Sequence, residues 1–338
     1  MDLAPIVLFV YNRPWHTRQC LESLEKNDLA NQSILFIYAD GPKENATDEQ
    51  LQKIKEVRKL IREKKWCKEV YIIESEKNKG LANSVIDGVT EIVNKYGKII
   101  VLEDDLVLAK GFLKYMNEGL AFYKEANEVI SVHGYVYPVK QKLPETFFLK
   151  GADCWGWATW KRGWDLFERD GMKLYEEIHD NSFENDFDYN GSYPFTEMLK
   201  LQIEKKIDSW AIKWYASAFL NNKLTLYPGV SFIQNIGNDG SGMHSGKTNK
   251  FEITKLNTRR DFRFPDKIEE NMQVREMIID YFKKISKLSQ RPNIINHIFS
   301  SIKSLVPNKY VIWKQIVWLK SKTFPYNHCQ HSRLISKS

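Results

Sequence analysis

Three consecutive acidic residues, Glu103, Asp104 and Asp105, directly follow an apolar run at residues 98–102. Carboxylate oxygens are the ligands that Mg²⁺ and Mn²⁺ prefer, and one or two carboxylates plus phosphate oxygens of a substrate usually complete the shell. A cation held in this way stabilises negative charge that develops on a departing phosphate group. The acidic run therefore predicts a divalent-metal site. The structural alternative is a solvated loop whose acidic residues precede a helix.

The residues before the acidic run alternate between short apolar segments and periodic helical segments. Residues 5–10 (PIVLFV) form a continuous apolar run, which is typical of a strand covered on both faces. Further strands are predicted at residues 34–38, 70–74 and 98–102, and helices at residues 17–25, 49–65 and 81–95. This alternation predicts an α/β fold with a doubly wound, mostly parallel central sheet flanked by helices.

Polar residues follow three of the predicted strands at the point where each strand ends. Asn12 and Arg13 follow the first strand, Asp40 follows the second, and the acidic run follows the fourth. Ligands of such sheets bind outside the carboxyl ends of the strands. The three polar clusters are therefore expected to lie in one site.

Eight short segments in this order resemble one known family, the β-1,2-N-acetylglucosaminyltransferase I enzymes of the GT-A fold and their bacterial relatives. The similar segments are residues 10–13 (VYNR), 18–21 (RQCL), 38–41 (YADG), 101–106 (VLEDDL), 111–115 (GFLKY), 155–157 (WGW), 207–210 (IDSW) and 227–228 (YP). The resemblance spans about residues 5–250, and the acidic block is its most literal part. It implies a GT-A (Rossmann-like) glycosyltransferase that uses a nucleotide-sugar donor.

The resemblance implies a role for each polar residue at the strand ends. Asp40 would bind the uridine of a UDP-sugar, and Arg13 would lie nearby on the nucleotide. Asp105 would be the direct ligand of Mn²⁺ or Mg²⁺, while Glu103 and Asp104 would hold the ribose and the sugar of the donor.

The same resemblance implies that Asp208 is the general base. It would take a proton from the acceptor hydroxyl as that oxygen attacks the anomeric carbon, in an inverting single displacement. The family has two acidic residues here, whereas Ser209 stands in the second position of this chain. Asp208 is therefore either the base or an ordinary N-cap of the helix predicted from Trp210.

The polar, glycine-rich residues 237–250 are expected to form a loop that closes over the diphosphate and excludes water. Within it, His244 and Lys247 could reach the diphosphate of the donor. The glycine spacing does not match a P-loop, and no predicted strand precedes it.

Aromatic residues are dense at residues 146–164. Trp155, Trp157, Trp160 and Trp164 are expected to lie mostly in the core, with one of them placed at a donor or acceptor sugar. His133, at the end of a strand predicted at residues 129–133, is either a packed histidine or a site residue.

The net charge of +7 is concentrated in the C-terminal part of the chain. Residues 283–338 contain eleven Lys and Arg but no Asp or Glu. Domains are therefore predicted at residues 1–264 (catalytic) and 265–338 (a basic extension of short amphipathic helices). Apolar faces at residues 294–306 and 312–317 either lie on an anionic membrane or pack on the catalytic domain.

The composition indicates the cellular compartment. No run of 18 apolar residues occurs, the first strand is predicted close to residue 1, and the four cysteines are scattered without a CxxC pair. These features predict a cytoplasmic protein. The basic C-terminal extension could hold it peripherally on the inner face of the plasma membrane.

The sequence therefore predicts a metal-dependent inverting glycosyltransferase that moves a sugar from a UDP-sugar to a glycan or lipid-linked glycan. One alternative is a catalytically inactive relative that binds nucleotide sugars. Another is a sugar-1-phosphate nucleotidyltransferase, although residues 11–14 do not form the glycine-rich first loop of those enzymes. Nucleic-acid binding is disfavoured because the body of the chain is mildly acidic.

Overall fold

The computed structural model describes residues 2–241 and 248–290. The described residues up to Ser286 form one compact unit. His244, Lys247 and the predicted amphipathic faces at residues 294–317 lie outside the described residues, so their predicted roles stay predictions.

The elements alternate in the first third of the chain and become less regular afterwards. The strands are β1 (Ile6–Val10), β2 (Ile34–Ala39), β3 (Glu69–Glu74), β4 (Lys98–Glu103), β5 (Leu106–Leu108), β6 (Val129–His133), β7 (Thr146–Lys150), β8 (Trp157–Trp160), β9 (Leu224–Pro228) and β10 (Ile233–Asn235). The helices are α1 (Pro14–Glu25), α2 (Asp48–Leu60), α3 (Leu81–Tyr96), α4 (Phe112–Phe122), α5 (Lys161–Trp164), α6 (Gly171–Asp180), α7 (Glu184–Phe187), α8 (Phe195–Ile203), α9 (Trp210–Leu220) and α10 (Met272–Gln290).

The main sheet has eight strands in the order β3-β2-β1-β4-β8-β6-β9-β7. The first four strands of this order are parallel to one another, as the strand–helix alternation predicts. The chain winds outward from β1 to β3 and then returns to place β4 on the other side of β1. The gap between the carboxyl ends of β1 and β4 is therefore the topological switch point, where such sheets bind ligands.

The other half of the sheet is mixed. β8 runs antiparallel to both β4 and β6, β6 is parallel to β9, and β7 is antiparallel to β9. A separate two-stranded sheet pairs β5 with β10, directly after the acidic run. The sequence pattern predicts neither of these two short strands. They matter for function because they bring residues after 235 back to the acidic run.

Both faces of β1 are covered, which explains its uninterrupted apolar sequence. Ile6, Leu8 and Val10 face a cluster with the apolar residues of α1, α2 and α4, whereas Val7 and Phe9 face a second cluster with those of α3 and α9. All five residues of the strand are buried. The resulting rigid layer fixes the position of the β1 carboxyl end.

Helix α10 lies in the predicted C-terminal extension, and its first part belongs to the compact unit that ends at Ser286. Val274, Ile278 and Phe282 on this helix are fully buried in a cluster with residues of α6, α8 and α9. Arg275 is also buried and pairs with Asp186. The compact unit continues to Ser286 through α10, whereas the further short helices predicted after Pro292 lie outside the described residues and stay a prediction. Among the described helices, none is long and apolar enough to cross a membrane.

Candidate active site

Arg13 joins the two strand ends at the switch point. It lies between β1 and α1, and its Nε donates to Asp104 Oδ2 at 3.3 Å while its Nη2 donates to the other oxygen of the same carboxylate. The same Nη2 also donates to Asp105 Oδ2 at 3.0 Å. Arg13 and Asp104 are both largely buried. This ion pair confirms that the polar residues after β1 and β4 lie in one place.

The cluster carries more negative than positive charge. Glu103, Asp104 and Asp105 face a single guanidinium, and burial together with the Asp105 carboxylate raises the pKa of Glu103 to about 8. Burial lowers the pKa of Arg13, but the charges of Asp104 and Asp105 outweigh it and raise that pKa overall. Because like charges repel strongly where water is scarce, a bound cation would stabilise the cluster.

The donor set at the acidic run fits a hard divalent cation. Asp104 is committed to Arg13 through both oxygens, whereas Asp105 receives one guanidinium hydrogen bond and is more exposed. A Cβ atom at Gly237 would lie 2.1 Å from Asp105 Oδ2, so only glycine leaves this space beside the carboxylate. In the described part of the chain, no three His, Cys, Asp or Glu side chains converge on a common point as a metal cage. One carboxylate plus phosphate oxygens is therefore the arrangement that these residues allow.

The segment after β10 returns to the acidic run. The Ile236 N–H donates to the Asp105 carbonyl at 2.9 Å, and His16 Nε2 lies 3.1 Å from Asp239 Oδ2. Ser241 Oγ lies 3.4 Å from the same His16 nitrogen. The described start of the predicted closing loop is therefore tied to both α1 and the acidic run, and its closure over a diphosphate stays a prediction.

Asp40 is surrounded by hydrogen-bond donors. Its two oxygens accept from the backbone N–H groups of Gly41, Lys79 and Gly80 and from the Asn78 side-chain amide, at 2.8 to 3.1 Å. A carboxylate offers about four acceptor positions, so those of Asp40 are filled. In this structure Asp40 holds the 78–80 turn, which leads directly into α3. A contact with uridine would require Asp40 to exchange one of these bonds.

Ser209, rather than Asp208, caps helix α9. The Ser209 hydroxyl accepts from the Ile212 N–H, which is the geometry of an N-cap. The N-cap alternative for Asp208 is therefore wrong. Within the described residues no group donates a hydrogen bond to Asp208, and its Oδ2 would lie 3.3 Å from a Cβ built on Gly80. Asp208 thus lies beside the 78–80 turn with an uncommitted carboxylate.

The tryptophans of residues 155–164 lie mostly in the core, as expected. Trp157, Trp160 and Trp164 are buried, whereas Trp155 is partly exposed. The backbone N–H of Trp155 donates to His133 Nε2 at 3.1 Å. Burial lowers the pKa of His133. His133 is therefore a packed, neutral histidine that fixes the backbone before β8.

Three features of the site are not predicted from the sequence. These are the pairing of His16 with Asp239, the cage around Asp40, and the position of Asp153 near the acidic run. Each depends on contacts between residues far apart in the chain, and no local pattern reveals them. A weak signal exists for the cage, because Asn78 and Gly80 directly precede a helix.

Together, the switch point, the acidic run and the flanking helices define a GT-A fold glycosyltransferase architecture. The chain matches the model of the family described as glycosyl transferase family 2 over residues 6–184. It therefore belongs to glycosyl transferase family 2. The more specific resemblance to the N-acetylglucosaminyltransferase I enzymes stays a prediction. No curated protein matches the chain.

The chain is also similar to several solved structures. It is 14% identical to residues 1–349 of S. aureus TarS, with a TM-score of 0.31, over 54% of this chain and 49% of that one. A longer S. aureus TarS structure is 15% identical, with a TM-score of 0.32, over 67% and 36%. A UDP-glucose pyrophosphorylase complexed with UDP-glucose is 10% identical, with a TM-score of 0.29, over 49% and 79%. The chain thus spans half or less of the TarS structures, and at these TM-scores the likeness assigns no activity to it.

Proposed function

We propose that this protein is a metal-dependent, inverting glycosyltransferase that moves a sugar from a UDP-sugar to a hydroxyl group of a glycan. The observation that carries the proposal is the Arg13–Asp104–Asp105 cluster at the switch point of the sheet, with negative charge left over. Family 2 membership supports the transferase class. The acceptor is a glycan or a lipid-linked glycan, and the basic residues 283–338 would hold the protein on the inner face of the membrane.

In this proposal Asp105 holds a Mn²⁺ or Mg²⁺ ion, which would neutralise the diphosphate leaving group when bound. Arg13 keeps Asp104 in place and supplies a fixed positive charge beside the diphosphate. Glu103 and Asp104 face the ribose and the sugar of the donor. All four residues lie at or just after the carboxyl ends of the buried strands β1 and β4, so the site is formed before the donor binds.

Asp208 is the proposed general base. Its carboxylate accepts no hydrogen bond from the described residues, so it is free to accept a proton from the attacking hydroxyl. Ser209 satisfies the start of helix α9 and thereby leaves Asp208 available. Displacement in one step then inverts the configuration at the anomeric carbon.

Asp40 and the 78–80 turn form the nucleotide side of the proposed site. Asp40 sets the turn through four hydrogen bonds, and the turn presents the start of helix α3 at the same sheet edge. His244 and Lys247 of the loop that follows Asp239 remain proposed contacts to the diphosphate.

The proposal is tested by measuring UDP release from a panel of UDP-sugars with Mn²⁺ and with a chelator. We expect metal-dependent release, and Asp208→Asn should lower it by roughly 10²- to 10⁴-fold without changing UDP affinity. Ser209→Ala is the matched control, because it removes the helix cap next to Asp208 but no proposed catalytic group.

Wild-type protein that binds UDP with metal but never releases UDP from a donor would identify a binding protein without transferase activity. Equal loss of UDP release in both variants would instead assign the effect to helix α9 and remove Asp208 as the base.

A further inference from the structure

A second carboxylate lies at the same sheet edge, on the far side of the acidic run from Asp40. β8 pairs antiparallel with β4, with Trp157 opposite Val101. Two residues beyond this pair, Glu103 ends β4 and Trp155 precedes β8, so both lie at the same sheet edge. Asp153 lies two residues further along the segment that enters β8.

The charges that act on the Cys154 thiol agree with this position. Burial raises the pKa of its thiol, and the charges of Asp153, Glu103 and Asp105 raise it further. Because such charge effects fall off with distance, the segment around Cys154 lies close to the acidic run. Asp153 has no role in the proposed transfer chemistry.

Asp153 has acceptor positions left for a ligand. Its Oδ2 accepts from the Tyr137 hydroxyl at 3.0 Å, and its Oδ1 accepts from the Cys154 N–H at 2.8 Å. A carboxylate has about four acceptor positions, so two remain, in contrast to the filled set of Asp40. Asp153 is also partly exposed, so a hydroxyl group of a ligand can reach it.

Partly exposed aromatic side chains form a connected group that includes Tyr137, the donor to this carboxylate. The Trp155 ring packs against Phe251 at 5.8 Å between centroids, and the Tyr137 ring lies 6.3 Å from Phe251 and 6.5 Å from Tyr281. All four rings retain some exposure. We call Asp153 and these four aromatic residues the Asp153 patch. It joins the loop after β6, the segment before β8 and helix α10.

We propose that the Asp153 patch binds the pyranose ring of the acceptor glycan. The C–H face of a pyranose packs on the electron-rich face of an aromatic ring, and its hydroxyl groups donate to a carboxylate. The assignment rests on the proposed function, in which the nucleotide lies over β1 and β2. The patch lies past β4, on the other side of the acidic run from β1 and β2.

The experiment uses the full-length protein with saturating UDP and Mn²⁺, so that the donor site is filled. Binding of methyl β-D-glucopyranoside, methyl β-D-galactopyranoside and methyl N-acetyl-β-D-glucosaminide is measured by saturation-transfer NMR. The variants are Asp153→Asn and Trp155→Leu, with thermal unfolding as the check on folding. Glu69→Gln is the matched control, since Glu69 accepts from the Tyr71 hydroxyl at 2.9 Å on the opposite edge strand.

We expect at least one pyranoside to bind the wild type and the Glu69→Gln control equally. Asp153→Asn and Trp155→Leu should each weaken that binding by about tenfold, with UDP affinity unchanged. Binding by none of the three probes, or equal binding by both patch variants, overturns the proposal. So does a loss of UDP affinity in Asp153→Asn, which would assign the patch to the donor.

A UDP titration of the wild type separates this inference from the function on which it rests. Absence of UDP binding contradicts the proposed function itself. Metal-dependent UDP binding without any pyranoside response contradicts only the acceptor role of the Asp153 patch.

Discussion

The ends of β2 and β4 both carry acidic residues at the same sheet edge, yet the two ends differ in how their charges are satisfied. At β2, one carboxylate meets four N–H donors, all of them from residues 41 and 78–80. At β4, Asp104 and Asp105 share the donors of Arg13, and the pKa of the neighbouring Glu103 is raised to about 8, first by burial and then by the Asp105 charge.

This difference shows that an acidic residue at a strand end can serve either structure or binding. Hydrogen bonds from fixed N–H groups stabilise a buried carboxylate and leave it no acceptor position for a ligand. A surplus of carboxylates over donors is instead unfavourable until a cation arrives. The supply of donors around each acid, and not its place in the sequence, separates the two roles.

The largest expected effect comes from removing the Asp40 carboxylate. Asp40→Ala leaves four N–H groups without their acceptor, and we expect the free energy of unfolding to fall by about 3 kcal/mol, measured by urea denaturation. Asp105→Ala is the comparison at β4 and should leave stability unchanged or raise it, because it removes like-charge repulsion. An Asp40→Ala variant as stable as the wild type would remove the distinction between the two strand ends.

A second prediction concerns the space beside Asp105. Gly237→Ala places a Cβ atom where the Asp105 carboxylate lies, so that carboxylate must move. We expect about tenfold weaker Mn²⁺-dependent UDP binding, or about 1.4 kcal/mol, by isothermal titration. The control is Gly171→Ala at the start of α6, whose Cβ would contact Ile203 at 3.2 Å. Unchanged binding in Gly237→Ala would show that the Asp105 position is not critical.

Asp208 and Ser209, at the start of helix α9, allow a further comparison between a carboxylate without a donor and a residue that supports structure. Ser209→Ala should lower the free energy of unfolding by about 1 kcal/mol through loss of the N-cap, whereas Asp208→Ala should leave it nearly unchanged. Chemical denaturation of both variants measures this. The reverse ranking would show that Asp208 supports the helix and is committed to structure like Asp40.

The smallest expected effect concerns His133, which accepts a hydrogen bond from the backbone N–H of Trp155. Burial lowers its folded-state pKa below the usual value, so the unfolded state binds more protons as the pH falls below about 6.5. Stability is therefore full above that pH and is lost below it. Between pH 7.5 and 5.5 the wild type should lose about 1 kcal/mol more than His133→Gln.

The control for this pH effect is His179→Gln, since His179 is exposed and its surface pair with Glu184 contributes little to stability. The free energy of unfolding of this variant should follow that of the wild type between pH 7.5 and 5.5. Identical pH profiles for the wild type and His133→Gln would exclude the buried neutral histidine as the cause of the pH effect.

Much of the parallel half of the fold could be predicted from the sequence. The buried runs of β1, β2 and β4 have apolar residues on both faces, and each strand begins and ends within one residue of its predicted bounds. The separate two-stranded sheet could not be predicted, because β5 and β10 have only three residues each and form through pairing with one another. The packing of α10 could not be predicted either, because its apolar face meets elements far away in the chain.

For the candidate site, the sequence predicts that Arg13 and the acidic run meet, and the structure confirms it. It could not predict that Asp40 is saturated, since three of its four donors lie about 40 residues away. Nor could it identify Asp153, which has no neighbour in sequence that marks it as a site. Both depend on how loops from separate strands meet at the sheet edge.

The most direct test of this account is isothermal titration of UDP, with and without Mn²⁺, on the wild type and on Asp105→Ala. We expect tight binding only by the wild type with Mn²⁺, because the carboxylates after β4 need the cation to hold the diphosphate. UDP binding that is equal without metal and in Asp105→Ala, or absent throughout, would contradict the account and assign the acidic run a structural role.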